Sequence, residues 1–165
     1  MDKTDIRTKE MIHLTGVANC YDLLYSNFLF VESEFDSEIP IRLTKNREYL
    51  AKKNALGRGA ISWFEPVMFP RRIESINFDL NELKGVNLFF SFLHEIGHAK
   101  DYNNPRVEIK TNESEISAWK NVLIDLEKFD NLLELEEEFQ KALDKYLSSY
   151  VNSNYSIDKL RQIKI

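Results

Sequence analysis

The chain has 165 residues, a length that fits one domain, and at 43% hydrophobic and 12% aromatic residues it can bury a proper core. A formal charge of −5 and a pI near 5.3 argue against a general nucleic-acid binder, which carries a basic face; Lys52-Lys53 and Arg71-Arg72 are local exceptions that read as solvated surface. No apolar run is long enough to span a bilayer, the start Met1-Asp2-Lys3-Thr4-Asp5 has no apolar signal region, and a single cysteine makes no internal disulfide, so no membrane partner and a cytoplasmic, reducing compartment are expected.

From Thr8 to Leu24 the pattern predicts a weak helix, with Met11, Leu14, Ala18, Tyr21, Leu24 and Tyr25 at three- and four-residue steps. His13 lies off this stripe and reads as a structural or solvated histidine rather than a remote ligand. Cys20 reads as a small buried residue. Asn27 to Ser33 is rich in aromatic and β-branched residues, which predicts either a strand or the helix running on. Asp36-Ser37-Glu38 is expected to be a loop. Ile39 to Leu43 alternates like a strand, with Pro40 near its start where a missing N–H costs least. Arg47 to Lys53 fits a short helix or a loop, and Leu56-Gly57-Arg58-Gly59-Ala60 a turn. Ala60 to Phe64 predicts a strand, Pro66 and Pro70 bracket a non-helical segment, and Arg72 to Phe78 predicts a strand with Glu74, Ile76 and Phe78 on one face.

Asp79-Leu80-Asn81-Glu82 has the form of a capping box, and Gly85 offers a second helix start. From Val86 the chain is apolar nearly all round, through Leu88, Phe89, Phe90, Phe92, Leu93 and Ile96, as in a helix buried on most sides. Asn103, Asn104 and Pro105 are expected to stop it. Near its end stands His94-Glu95-Ile96-Gly97-His98, which holds two of the three histidines of the chain. A spacing of four puts both imidazoles on one helix face, close enough to ligate one metal ion. Glu95 is too close to His94 to be a comfortable third ligand, but is placed to take a proton from water at the metal. This is the H-E-x-x-H arrangement of zinc hydrolases. Gly97 costs the helix about 1 kcal/mol relative to alanine, which a close backbone contact would explain.

A second helix follows from Thr111, with Ile116, Trp119, Leu123, Leu126 and Phe129 on one stripe. Asn131 to Glu134 looks like another capping box, opening a third helix lined by Leu132, Leu135, Phe139, Leu143, Tyr146 and Tyr150. Glu136-Glu137-Glu138 is its solvated face. The polar tail from Asn152 has room for a short helix at Ile157 to Gln162. No repeat or linker divides residues 1–165, so a single domain is expected.

A catalytic zinc needs three protein ligands and an open position. The metzincin continuation would require glycine at Asp101 and histidine at Asn104, so that class is excluded. The other common solution is a glutamate on the next helix, folded back over the first. Glu115 fits, with the small Ala118 allowing close approach; it also fits as the N3 partner of Asn112 in a capping box. Glu113 and Asp101 are the rivals for the third ligand. Asp101 also reads as an acceptor that orients His98, or as a helix-end residue facing water.

His94-Glu95-x-x-His98 followed by Glu115-x-x-Ala118 resembles the gluzincin branch of zinc metallopeptidases. One similar subgroup is the compact ImmA/IrrE-like group, with H-E-x-x-H then E-x-x-A-N; Trp119 stands in place of that asparagine. The other is the catalytic domain of anthrax lethal factor, similar over His94 to Asp101 and Thr111 to Ala118. The resemblance covers roughly Ile73 to Trp119. It implies His94, His98 and Glu115 as zinc ligands, Glu95 as catalytic base, and a protein or peptide substrate. It also implies an α+β, zincin-like fold: a small twisted sheet packed on the motif helix and the ligand helix, with additional N- and C-terminal helices. An edge strand within Arg71 to Phe78 would line the cleft and bind peptide by strand addition. Lethal-factor-like enzymes steady the oxyanion with a tyrosine near the ligand helix. No tyrosine stands between Asn103 and Glu115, so that role is unassigned, with Tyr102 a candidate. The competing expectation is a non-catalytic interaction protein of phage or mobile-element type whose metal site is structural or vestigial.

Overall fold

The computed structural model describes residues 2–35, 41–53, 62–68, 71–102 and 111–164. Two helices open the chain, α1 (Lys3–Thr15) and α2 (Tyr21–Glu34), followed by strand β1 (Ile41–Thr44), helix α3 (Arg47–Lys53), and strands β2 (Ser62–Met68) and β3 (Arg71–Asp79). Helices α4 (Gly85–Tyr102), α5 (Thr111–Lys128) and α6 (Leu132–Ala142) come next. A π-helical turn (Leu143–Ser148), α7 (Ser149–Val151) and α8 (Ile157–Arg161) complete the described chain. The architecture is helices with one small sheet, an α+β arrangement. Among the described residues, no helix is long and apolar enough to cross a membrane.

The expected helix from Thr8 to Leu24 is two helices. Gly16 takes the left-handed conformation, φ 67°, and its N–H closes the last turn of α1 on the Ile12 carbonyl at 2.8 Å. Glycine reaches that conformation without the Cβ clash other residues meet, so the stripe breaks there. The chain turns back through Asn19, also at positive φ. The run from Asn27 to Ser33 resolves as helix: Leu23, Leu24, Asn27, Phe28 and Val31 are buried on one face of α2. Cys20 is buried before α2, which pushes its thiol up to about 11 and keeps it unreactive. Arg47 to Lys53 is likewise the helical alternative.

The sheet has the order β1-β3-β2. β1 runs parallel to β3, pairing Ile41 with Ile76 and Thr44 with Asp79; β2 runs antiparallel, pairing Ser62 with Phe78 and Met68 with Arg71. β3 is thus the central strand, paired on both sides, and not the edge expected within Arg71 to Phe78. That explains why Ser75 and Asn77 are buried beside Ile73, Ile76 and Phe78, whereas Glu74, expected on the face of Ile76 and Phe78, is exposed. The β2 register shifts between Glu65 and Pro66, where proline has no N–H for the ladder. The loop expected at Asp36-Ser37-Glu38, the turn at Leu56 to Ala60 and the helix stop at Asn103 to Pro105 lie outside the described residues.

α4 is the hub, packed against α1, α2, α5, α6, β2 and β3. Its expected all-round apolar character is matched by burial: Leu88, Phe89, Phe90, Phe92, Leu93 and Ile96 are each at most 1% exposed. It starts at Gly85, the second of the two expected starts. Asp79 spends its side chain on the Asn81 N–H (2.8 Å) and its carbonyl on the Leu83 N–H (2.9 Å), which makes a turn after β3 instead of a helix cap. Asn131 also differs from the capping expectation, because its amide donates across the molecule to the Asn19 carbonyl at 2.8 Å. Along the third helix the expected stripe holds through Phe139 and Leu143. The π-helical turn then adds residues per turn, so Leu147 is buried and Tyr150 is half exposed.

Candidate metal centre

Two helices build the site, and their closeness is written into α4. A Cβ on Gly97 would lie 2.5 Å from the backbone oxygen of Ala118, so only glycine lets α5 approach this far. The expected close contact at Gly97 is therefore with the backbone of α5. Asn121 fastens the crossing by donating to the Gly97 carbonyl at 3.0 Å and to Asp101 Oδ1 at 2.8 Å. Lower down, Lys100 on α4 meets Asp125 on α5 at 2.5 Å, a contact shared with Asn27 of α2 at 3.2 Å.

This crossing brings Glu115 over the histidine face. His94 Nε2 lies 2.8 Å from Glu115 Oε2, and His98 Nε2 lies 3.0 Å from Glu115 Oε1. The two imidazoles meet edge to face with centroids 4.6 Å apart. Burial works against charge on His94, but its bonds to Glu115 and Glu95 outweigh it and lift the ring from 6.5 to about 9. Burial likewise pushes the Glu115 carboxyl up, and the two imidazoles pull harder, holding it well below the carboxylate range. The capping role considered for Glu115 is not taken, since both of its oxygens face histidines.

Glu95 is 5% exposed and stands beside this trio. Its Oε1 lies 3.3 Å from His94 Nδ1 and accepts a hydrogen bond from Ser62 Oγ of β2 at 3.1 Å. A proton on Nδ1 directed at Glu95 leaves Nε2 as the donor atom, which is the tautomer a metal ligand needs.

The donor set suits a dication. One atom each from His94, His98 and Glu115 lie within 4.8 Å of one another. Neighbouring ligands of tetrahedral zinc sit about 3.3 Å apart, given bonds of about 2.0–2.1 Å. Two imidazoles and a carboxylate are also the ligand types that zinc takes in open, catalytic sites.

The rivals fall elsewhere. Glu113 is exposed on the first turn of α5, and His13 is exposed on α1. Asp101 is buried, against the expectation of a helix end facing water. Burial pushes its carboxyl up, opposed in part by the hydrogen bond from Asn121. Tyr102 is 4% exposed and packs in the core.

Sequence reasoning missed three contributors. Trp119 stacks on His94 at 4.7 Å and 16° from parallel; its place four residues after Glu115 puts both on one helix face, a usable signal. Asn121 shares no motif with Gly97. Ser62 reaches Glu95 only through the fold, 33 positions away. In comparisons with known proteins, the chain matches no family model, no curated protein and no solved structure.

Proposed function

We propose that this chain is a zinc-dependent metallopeptidase of the gluzincin type, with a zincin-like fold, hydrolysing peptide bonds of a protein or peptide substrate. The observation that carries the reading is the convergence of His94, His98 and Glu115 within 4.8 Å, with Glu95 against the first of them. The resemblance of His94-Glu95-x-x-His98 and Glu115-x-x-Ala118 to gluzincins supports it. His94, His98 and Glu115 would hold the metal. Zinc, when bound, supplies the Lewis acidity that makes water nucleophilic near neutral pH and polarises a carbonyl. Glu95 takes a proton on its carboxylate and returns it to the leaving amine. Ser62, bonded to Glu95 Oε1, orients that carboxylate. The place of action in this reading is a reducing, cytoplasmic compartment, in keeping with one buried cysteine.

Protein purified without chelators should carry about one zinc per chain. Digestion of a degenerate peptide library, read by mass spectrometry, should show cleavage by the wild type and none by zinc-loaded Glu95→Ala. Absence of zinc, or equal cleavage by Glu95→Ala, would overturn the proposal. A second reading, a non-catalytic interaction protein with a structural or vestigial metal, draws support from the burial of Glu95 and its bond to Ser62. It expects bound zinc with no cleavage by either protein.

A further inference from the structure

Trp119 lies four residues after Glu115 on α5, so both side chains leave the helix on the face that meets α4. Its indole covers one face of the His94 ring, with centroids 4.7 Å apart and planes 16° from parallel. On the indole stacks the Tyr146 phenol, at 6.2 Å and 10°. Phe139 closes a further side at 6.3 Å and 37°. Trp119 is 1% exposed and Phe139 fully buried, so the indole has no open path toward solvent. Three elements build it: His94 from α4, the indole from α5, and the phenol from the π-helical turn that interrupts the third helix.

A ring held flat against an indole cannot rotate about its Cβ–Cγ bond without losing that contact. The electron-rich indole face also favours a neighbour carrying positive charge, as an imidazole does when a dication is bound to it. We infer that Trp119, backed by Tyr146, is a positioning residue of the metal centre: it fixes the plane of the His94 ring so that Nε2 faces the Glu115 carboxylate, and thereby sets metal affinity. This rests on the metal-centre reading above. The role is distinct from that of Glu95, which meets the ring at its Nδ1 edge, whereas the indole covers a ring face and holds the tilt of its plane.

The test measures Zn2+ affinity by competition with a chromogenic chelator, and the visible spectrum of the Co2+-substituted protein. Trp119→Leu should bind Zn2+ about 10- to 100-fold more weakly, as loss of an outer-shell partner does. Its Co2+ bands should shift at saturating metal, because a freed ring changes the ligand field; general loosening of the core would leave a saturated spectrum unmoved. Trp119→Phe, which keeps a flat ring, should retain most of the affinity and the wild-type spectrum. Tyr146→Leu should weaken binding in the same direction, by less. In a Trp63→Phe background all indole emission comes from Trp119, and it should change with added Zn2+ up to about one ion per chain. A wild type that takes up neither Zn2+ nor Co2+ overturns the metal-centre reading and this inference with it. A wild type that binds, alongside a Trp119→Leu protein of equal affinity and identical Co2+ spectrum, overturns the inference alone. If Trp119→Leu fails to fold, the Trp63→Phe protein decides: zinc bound with no change in emission overturns it.

Discussion

Replacing Gly97 with alanine tests the helix crossing on which the site depends. The new Cβ would lie 2.5 Å from the Ala118 oxygen, and ordinary contact begins near 3.4 Å, so the helices must part locally by about 0.9 Å. The obstacle is backbone, which no side-chain rotation relieves. Glu115 sits within one turn of Ala118 and moves with it. Metal sites hold their distances to within about 0.2 Å, so a displacement of this size should lower zinc affinity at least about tenfold. Stability responds less. Overpacking costs about 1–3 kcal/mol, while alanine in place of a helical glycine returns about 1 kcal/mol. The net loss is about 0–2 kcal/mol. Urea denaturation of the metal-free protein and a zinc competition titration read the two effects separately. Ala118→Gly added to Gly97→Ala should rescue nothing, because the clash is with the main chain. A Gly97→Ala protein that keeps wild-type affinity refutes the reasoning: α5 would not be held against α4 at this point.

Glu115→Gln should abolish tight zinc binding, whereas Glu113→Gln, at an exposed position, should leave it unchanged; metal analysis of both proteins checks the assignment. Stability of the metal-free protein should depend on pH with a definite sign. His94 is raised from 6.5 to about 9, so its contribution is full below 6.5 and lost as pH climbs toward 9, worth about 3 kcal/mol in all. Glu115 is lowered from 4.5, so its contribution is full above 4.5 and lost in acid. Melting in chelator should therefore peak between these values and fall from 6.5 to 9; a flat profile across that range contradicts the histidine–carboxylate network. Asp125→Ala strips the partner from Lys100 and Asn27 where α2, α4 and α5 meet. It should cost about 2–3 kcal/mol in urea denaturation with little change in zinc affinity, and a loss under 1 kcal/mol would show the contact to be idle.

The donors were legible because their geometry is local. Four-residue spacing on a helix fixes the relative place of His94 and His98 whatever surrounds them, and a short connection fixes the partner helix. Gly97 was legible as an anomaly, a residue that weakens its own helix and so needs a reason. Ser62 and Asn121 were not, since a hydroxyl or amide gains its role only from what the fold sets opposite it. The expected capping bonds failed for a related reason, although Asn131 does precede the third helix and Gly85 does open α4. Asp79 and Asn131 have the right chemistry for caps, but each found a different partner, one in its own turn and one at Asn19. The π-helical turn left no mark at all, because periodicity assumes a constant number of residues per turn.

Glu115 follows His94 by 21 positions and His98 by 17, and both bonds lie within the α4–α5 pair. Closing so short a loop costs little chain entropy, and such contacts form early in folding. The supports of Glu95 and His94 are of another kind: Ser62 comes from the sheet, and Tyr146, behind Trp119, from the π-helical turn after α6. On the proposed reading, one helix pair gathers the metal ligands, while the groups that orient them come from the rest of the fold.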